Sequence, residues 1–160
     1  MKIRTDFVTN SSSSSFILGF KSKDTIKEEL LKDNTGGYFE QLFNDVQKTK
    51  GTSKEDAIEY YQEDLYYPVK WEVEDEFEGT LRECNPKASW NEINTLMEDS
   101  SGEIEDLIQE RMNSEVKELE EKLQDKEHIV IINYSDHDNW KLEGEIVPRL
   151  KSCMATISHH

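Results

Sequence analysis

Ser11-Ser12-Ser13-Ser14-Ser15-Phe16-Ile17-Leu18-Gly19-Phe20 is the stretch on which the fold turns. Its second half is a short apolar run of strand-forming residues, suited to a strand buried on both faces. Upstream, Ile3, Thr5 and Phe7 alternate with Lys2, Arg4 and Asp6, the period-2 pattern of a half-buried strand. The serines therefore read as a connection between two strands. The run lacks the glycines of a flexible linker, and each serine adds a hydroxyl that donates and accepts beside its own backbone N–H. Thr9, Asn10, Ser11, Ser12, Ser13, Ser14 and Ser15 are thus a candidate ligand-binding loop able to surround an anion. The plainer reading is a polar hairpin whose serines satisfy their own turn. A phosphate-binding P-loop is disfavoured, because its glycines and lysine are missing and no helix is expected to follow.

Further along the chain, His128-Ile129-Val130-Ile131-Ile132-Asn133-Tyr134 is the strongest strand signal and is expected mid-sheet. Val69, Trp71 and Val73 alternate with Lys70, Glu72 and Glu74, which predicts a strand with one wet face. The expected strands lie near 2–8, 15–20, 69–77, 128–134 and 153–158. Helical periodicity and start and stop signals predict helices near 23–32, 38–49, 54–66, 90–98 and 103–126. Thr52-x-x-Glu55 and Ser89-x-x-Glu92 have capping-box form, and Pro68 is read as the end of the helix before it. In the last helix Ile104, Ile108, Met112, Val116, Leu119 and Leu123 form one stripe. The fold class is α+β, a mixed or antiparallel sheet covered by helices, in a single domain spanning 1–160.

The chain carries 35 Asp and Glu against 19 Lys and Arg, a formal charge of −16 at pH 7. Such a surface repels a phosphate backbone, which argues against nucleic-acid binding through a general basic surface. It attracts cations or a basic protein partner. Cys84 and Cys153 are far apart and read as reduced thiols of a cytoplasmic protein. No apolar run approaches the ~20 residues of a membrane helix, so no membrane association is expected.

Three of the four histidines fall near the chain end, at His137, His159 and His160. On an extended segment Asp136 and Asp138 point the same way. With His159 and His160, and Glu143 or Glu145 alongside, they make a candidate site for a divalent transition metal. Read as a calcium loop the segment fails, since Trp140 and Lys141 stand where an oxygen ligand and a glycine belong. A catalytic version takes a serine from the run, one of these histidines, and Asp136 or Asp138, but no nucleophile-elbow sequence surrounds any serine.

The opening Lys2-Ile3-Arg4-Thr5-Asp6-Phe7-Val8-Thr9-Asn10-Ser11 through Phe16 resembles that of a group of uncharacterised bacterial proteins. Their shared signature is basic-x-Asp-Phe-Val-Thr-Asn, a serine-rich run and Phe, and some end in Ser-His-His, as Ser158-His159-His160 does. The resemblance implies a recurring N-terminal module and no reaction. The leading expectation is an acidic binding or interaction protein whose serine loop and C-terminal His/Asp cluster form the recognition site. The alternatives are a metal-dependent or serine-dependent hydrolase using the same residues, and an acidic decoy for a basic partner, docked chiefly on the helix at 103–126.

Overall fold

The fold is described from a computed structural model covering residues 13–159, with His159 placed by its backbone alone. The strand expected at 2–8, together with Thr9, Asn10, Ser11, Ser12 and His160, lies outside the described residues. The architecture is α+β. In chain order the strands and α-helices are β1 (Ser13–Phe20), α1 (Ile26–Lys32), α2 (Phe39–Lys48), α3 (Lys54–Cys84), α4 (Trp90–Asp99), α5 (Ser101–Leu123), β2 (His128–Ser135), α6 (Asp136–Lys141) and β3 (Cys153–His159). The chain divides into two compact units: unit 1 comprises Met1–Ala57 and Glu121–His160, and unit 2 comprises Ile58–Glu120.

Unit 1 is built on an antiparallel sheet of order β2-β1-β3. Every residue of β1 from Ser14 to Phe20 is buried, as an apolar run flanked by strands on both sides requires. Phe16, Leu18 and Phe20 point to one face and pack with Val130, Ile132 and Tyr134 of β2. Ile26 and Leu30 of α1 and Leu42 and Val46 of α2 close that face, each helix contributing an i, i+4 pair. After β2 the chain forms α6, a single π-helical turn over Leu142–Ile146 and a 3-10 turn at Val147–Arg149, seating Leu142 and Val147 in the same core.

Two expectations for the sheet are corrected. The segment 128–134 does not sit mid-sheet; β1 does, because only β1 finds backbone partners on both sides. A continuous apolar run reports that both faces are covered, and hydrogen-bond neighbours decide which strand is central. The serine run is likewise not a loop throughout, since Ser13, Ser14 and Ser15 are the first residues of β1 and pair with both neighbours.

In unit 2 the strand expected at 69–77 is absent. α3 runs through it without a break to Cys84 and contains Pro68. Proline removes one amide donor and disfavours a helix interior, yet Ala57, Tyr61, Leu65, Val69 and Val73 recur every fourth residue and all are buried. That spacing keeps one helical stripe apolar on both sides of the proline. Trp71, which period 2 would turn inward with the valines, is instead 55% exposed. On α5 the expected stripe is confirmed within the helix Ser101–Leu123, with Ile104, Ile108, Val116, Leu119 and Leu123 buried. Ser89 caps α4 as expected: its Oγ accepts from the Glu92 N–H at 3.3 Å, and the Glu92 carboxylate accepts from the Ser89 N–H at 2.6 Å. The cap of α3 moves by one residue. Ser53 Oγ accepts from Asp56 N–H at 3.0 Å, while Thr52 N–H donates to Ile129 O at 2.8 Å.

Candidate functional site

The register of the sheet brings the first described serine beside the ends of both neighbouring strands. Ser13 lies opposite Ser135 on one side and opposite His159 on the other, and directly opposed residues of antiparallel strands have Cα atoms about 4.5–5.5 Å apart. Ser13, His159 and Ser135, which precedes the 136–138 segment, therefore meet at one end of the sheet. The hydroxyls behave differently from an open anion cradle. Ser14 is buried and its Oγ donates to Glu143 Oε1 at 2.9 Å. Ser15, also buried, donates to Asn133 Oδ1 at 2.6 Å. A hydroxyl inside a strand has left water and must take a protein partner, so these two serines are structural members of the sheet.

Asp136 and Asp138 open α6 rather than continuing the strand, and residues two apart on a helix do not share a face. The expected pair is thus split. Asp136 Oδ1 is buried without a hydrogen-bond partner among the described residues, whereas His137 and Asp138 are exposed and face each other with Nδ1 and Oδ1 3.7 Å apart. Among the described residues no three His, Cys, Asp or Glu side chains group as metal ligands. The His159 side chain and His160 lie outside that description. His128 has a packing role at the start of β2, its ring 6.5 Å from that of Phe20, and burial holds its pKa below the ordinary histidine value.

The second candidate surface belongs to unit 2. Ile58–Glu120 contains 19 Asp and Glu against 5 Lys and Arg, a net −14, which leaves only −2 for the whole of unit 1. Three of its five cations are already held by its own acids: Arg111 by Glu76 at 2.8 Å, Arg82 by Glu78 at 2.7 Å and Lys70 by Glu74 at 3.8 Å. The two Arg111 nitrogens meet both Glu76 oxygens and hold that carboxyl below the usual range. Between α3 and α5 lies a groove of about 470 Å³, with Val73, Phe77 and Leu107 beside Glu76, Glu110 and Arg111. On the opposite face of α3 from the groove, Tyr67 and Trp71 are 62% and 55% exposed with ring centroids 6.4 Å apart. With Glu76 held by Arg111, Glu110 is the rim carboxylate left for a long cationic side chain whose stem lies on Val73, Phe77 and Leu107. Exposed aromatic faces add attraction for other such cations.

Sequence reading pointed to the acidic helical surface but missed its groove. Phe77 and Leu107 stand out only once the register of α3 against α5 is known. The charge concentration itself is countable, and a tally by segment would have located it. No family model, curated protein or solved structure matches the chain. Among the described residues no helix is long and apolar enough to cross a membrane.

Proposed function

We propose that the protein is a non-enzymatic interaction protein of the cytoplasm whose acidic helical unit docks a basic protein segment. The observation that carries this reading is the segregation of charge, −14 on Ile58–Glu120 against −2 on the remainder. Acidity serving solubility alone would need no such concentration. The groove of Val73, Phe77 and Leu107, where Glu110 is the rim carboxylate not already held by Arg111, takes one Lys or Arg stem, and Tyr67 and Trp71 take others on the opposite face of α3. A segment that ordinarily contacts nucleic acid has this chemistry, which makes the protein a competitor for phosphate backbones rather than a binder of them.

The test uses the full-length protein and a fluorescent synthetic peptide of alternating Arg and Gly. Binding is expected to weaken at least about tenfold between low and moderately high salt, as screening of exposed charges requires. It is expected to weaken again in Glu110→Lys and Trp71→Ala, but to be unchanged in the unit 1 control Glu145→Gln. Salt-insensitive binding, or equal loss in the control, would overturn the reading.

A second recognition surface is favoured by one specific observation, the placement of Ser13 between Ser135 and His159. In this reading Ser13, Asp136 and His159 form the site at the sheet end. A stoichiometric transition metal retained by dialysed protein, and lost in Asp136→Asn, would convert this surface into the centre of a metal-dependent hydrolase. Metal-free protein would leave it a binding surface.

A further inference from the structure

Unit 1 contains a concavity whose charge runs against that of the protein as a whole. It lies beside the end of β1, along α1, and against the turns before β2 and β3, and has a volume of about 330 Å³, within the range of small-molecule sites. Lys21, Lys32, Lys126 and Lys151 line it together with three carboxylates. Each carboxylate is already engaged. Glu28 is bound by Lys32 at 2.9 Å, Glu29 accepts from the Lys21 N–H at 3.3 Å and the Thr25 hydroxyl at 3.2 Å, and Asp33 accepts from the Ser152 hydroxyl at 3.3 Å. Lys21 and Lys151 are exposed, and neither makes an ion pair among the described residues. Lys126 has only its highly exposed neighbour Asp125, at 3.5 Å.

Gly19 shows that the position of Lys126 is built into the fold. A Cβ added at Gly19 would stand 2.9 Å from Lys126 Cγ, closer than real contacts allow, and a tight 3.0 Å from Met154 Cγ. Glycine weakens a strand interior and marks a close approach there. Here it lets the Lys126 stem lie across β1, leaving that side chain 17% exposed. The apolar stem is thereby packed and its ammonium held beside the pocket, as long cationic side chains permit.

We propose that this pocket binds a small phosphate-bearing dianion, with Lys21, Lys126 and Lys151 supplying the balancing charge. Lysine meets phosphate as a compact point charge. Three ammonium groups in one concavity, with Lys21 drawn to Glu28 only at longer range, focus a local positive potential. The inference is independent of the acidic unit and of the sheet end, since none of the pocket residues belongs to either.

The test is a titration of isotope-labelled full-length protein with inorganic phosphate at constant ionic strength, followed by NMR. Saturable shifts are expected at the amides of Gly19, Lys21 and Ser152. Affinity is expected to fall about five- to tenfold in Lys151→Gln, an exposed change, and in Lys126→Met, which keeps the stem over Gly19 and removes only the ammonium. Thermal melts establish that both variants are folded. Shifts that grow linearly without saturation, or an affinity unchanged in both folded variants, would overturn the proposal. Equal affinity for succinate would also overturn it, by showing a site for dianions in general.

Discussion

Unit 1 buries Phe16, Leu18 and Phe20 from a central strand against Ile26, Leu30, Leu42 and Val46, all seven with no exposure at all. Unit 2 has no sheet among its described residues. Its burial rests on stripes along α3 and α5, bordered by Tyr61 on Glu115 at 3.2 Å, Tyr66 on Glu105 at 3.2 Å and the Arg111–Glu76 pair. The difference teaches that one chain can place its packing and its charge in separate units. Unit 1 gains stability from apolar area removed from water, which salt affects little. Unit 2 carries −14 on the helical residues outside its apolar stripes, so self-repulsion weakens it and screening restores it.

The largest expected effect is in unit 1. Phe16→Ala should cost about 3–5 kcal/mol, because it opens a cavity under the central strand. An unchanged midpoint in urea, with unchanged slope, would break the claim that this strand carries the core. Ile108→Ala should cost about 2–3 kcal/mol, toward the low end for such truncations, since its stripe is bordered by solvent-exposed acids. Hydrogen exchange should report the loss mainly in Ile58–Glu120; equal loss in both units would show that they unfold as one.

A smaller effect separates the units by pH. Burial lowers the pKa of His128 in the folded state, so folding favours its neutral form. Its contribution is complete above the unfolded value of 6.5 and is lost as pH falls through the lower folded value. A melt series across this window should lose stability on acidification in the wild type and lose less in His128→Gln. An identical slope in the variant would remove His128 from the account. Trp71→Ala should be smallest, within about 0.5 kcal/mol, as for surface changes away from special features. A loss of about 3–5 kcal/mol would fit an inward-facing tryptophan and revive the strand at 69–77.

That strand is the most instructive misreading. Val69, Trp71 and Val73 satisfy period 2, but Val69 and Val73 also satisfy the fourfold spacing begun at Ala57. Treating Pro68 as a stop hid the longer pattern. Burial of Val69 and Val73, with Trp71 exposed, resolves the choice for the helix. The candidate sites were legible to different degrees. The meeting of Ser13 with His159 was expected from two polar ends flanking strands, whereas the inward turn of Ser14 and Ser15 was not, because Ser14 meets Glu143 across 129 positions of chain. The lysine pocket had no local signature, as its four lysines come from three separate stretches of the chain.

The sequence by itself determined the α+β class, the strand at Phe16–Phe20, the stripe from Ile104 to Leu123 and the Ser89–Glu92 cap. These are properties of residues within a few turns of one another, where 3.6- and 2-residue periods and capping bonds operate. Tertiary structure alone decided that β1 is central, that the serines enter the strand, and that lysines from distant segments line one pocket. Each of these depends on hydrogen bonds or packing between residues far apart in the chain, and the free energy of such contacts exists only once the chain has folded.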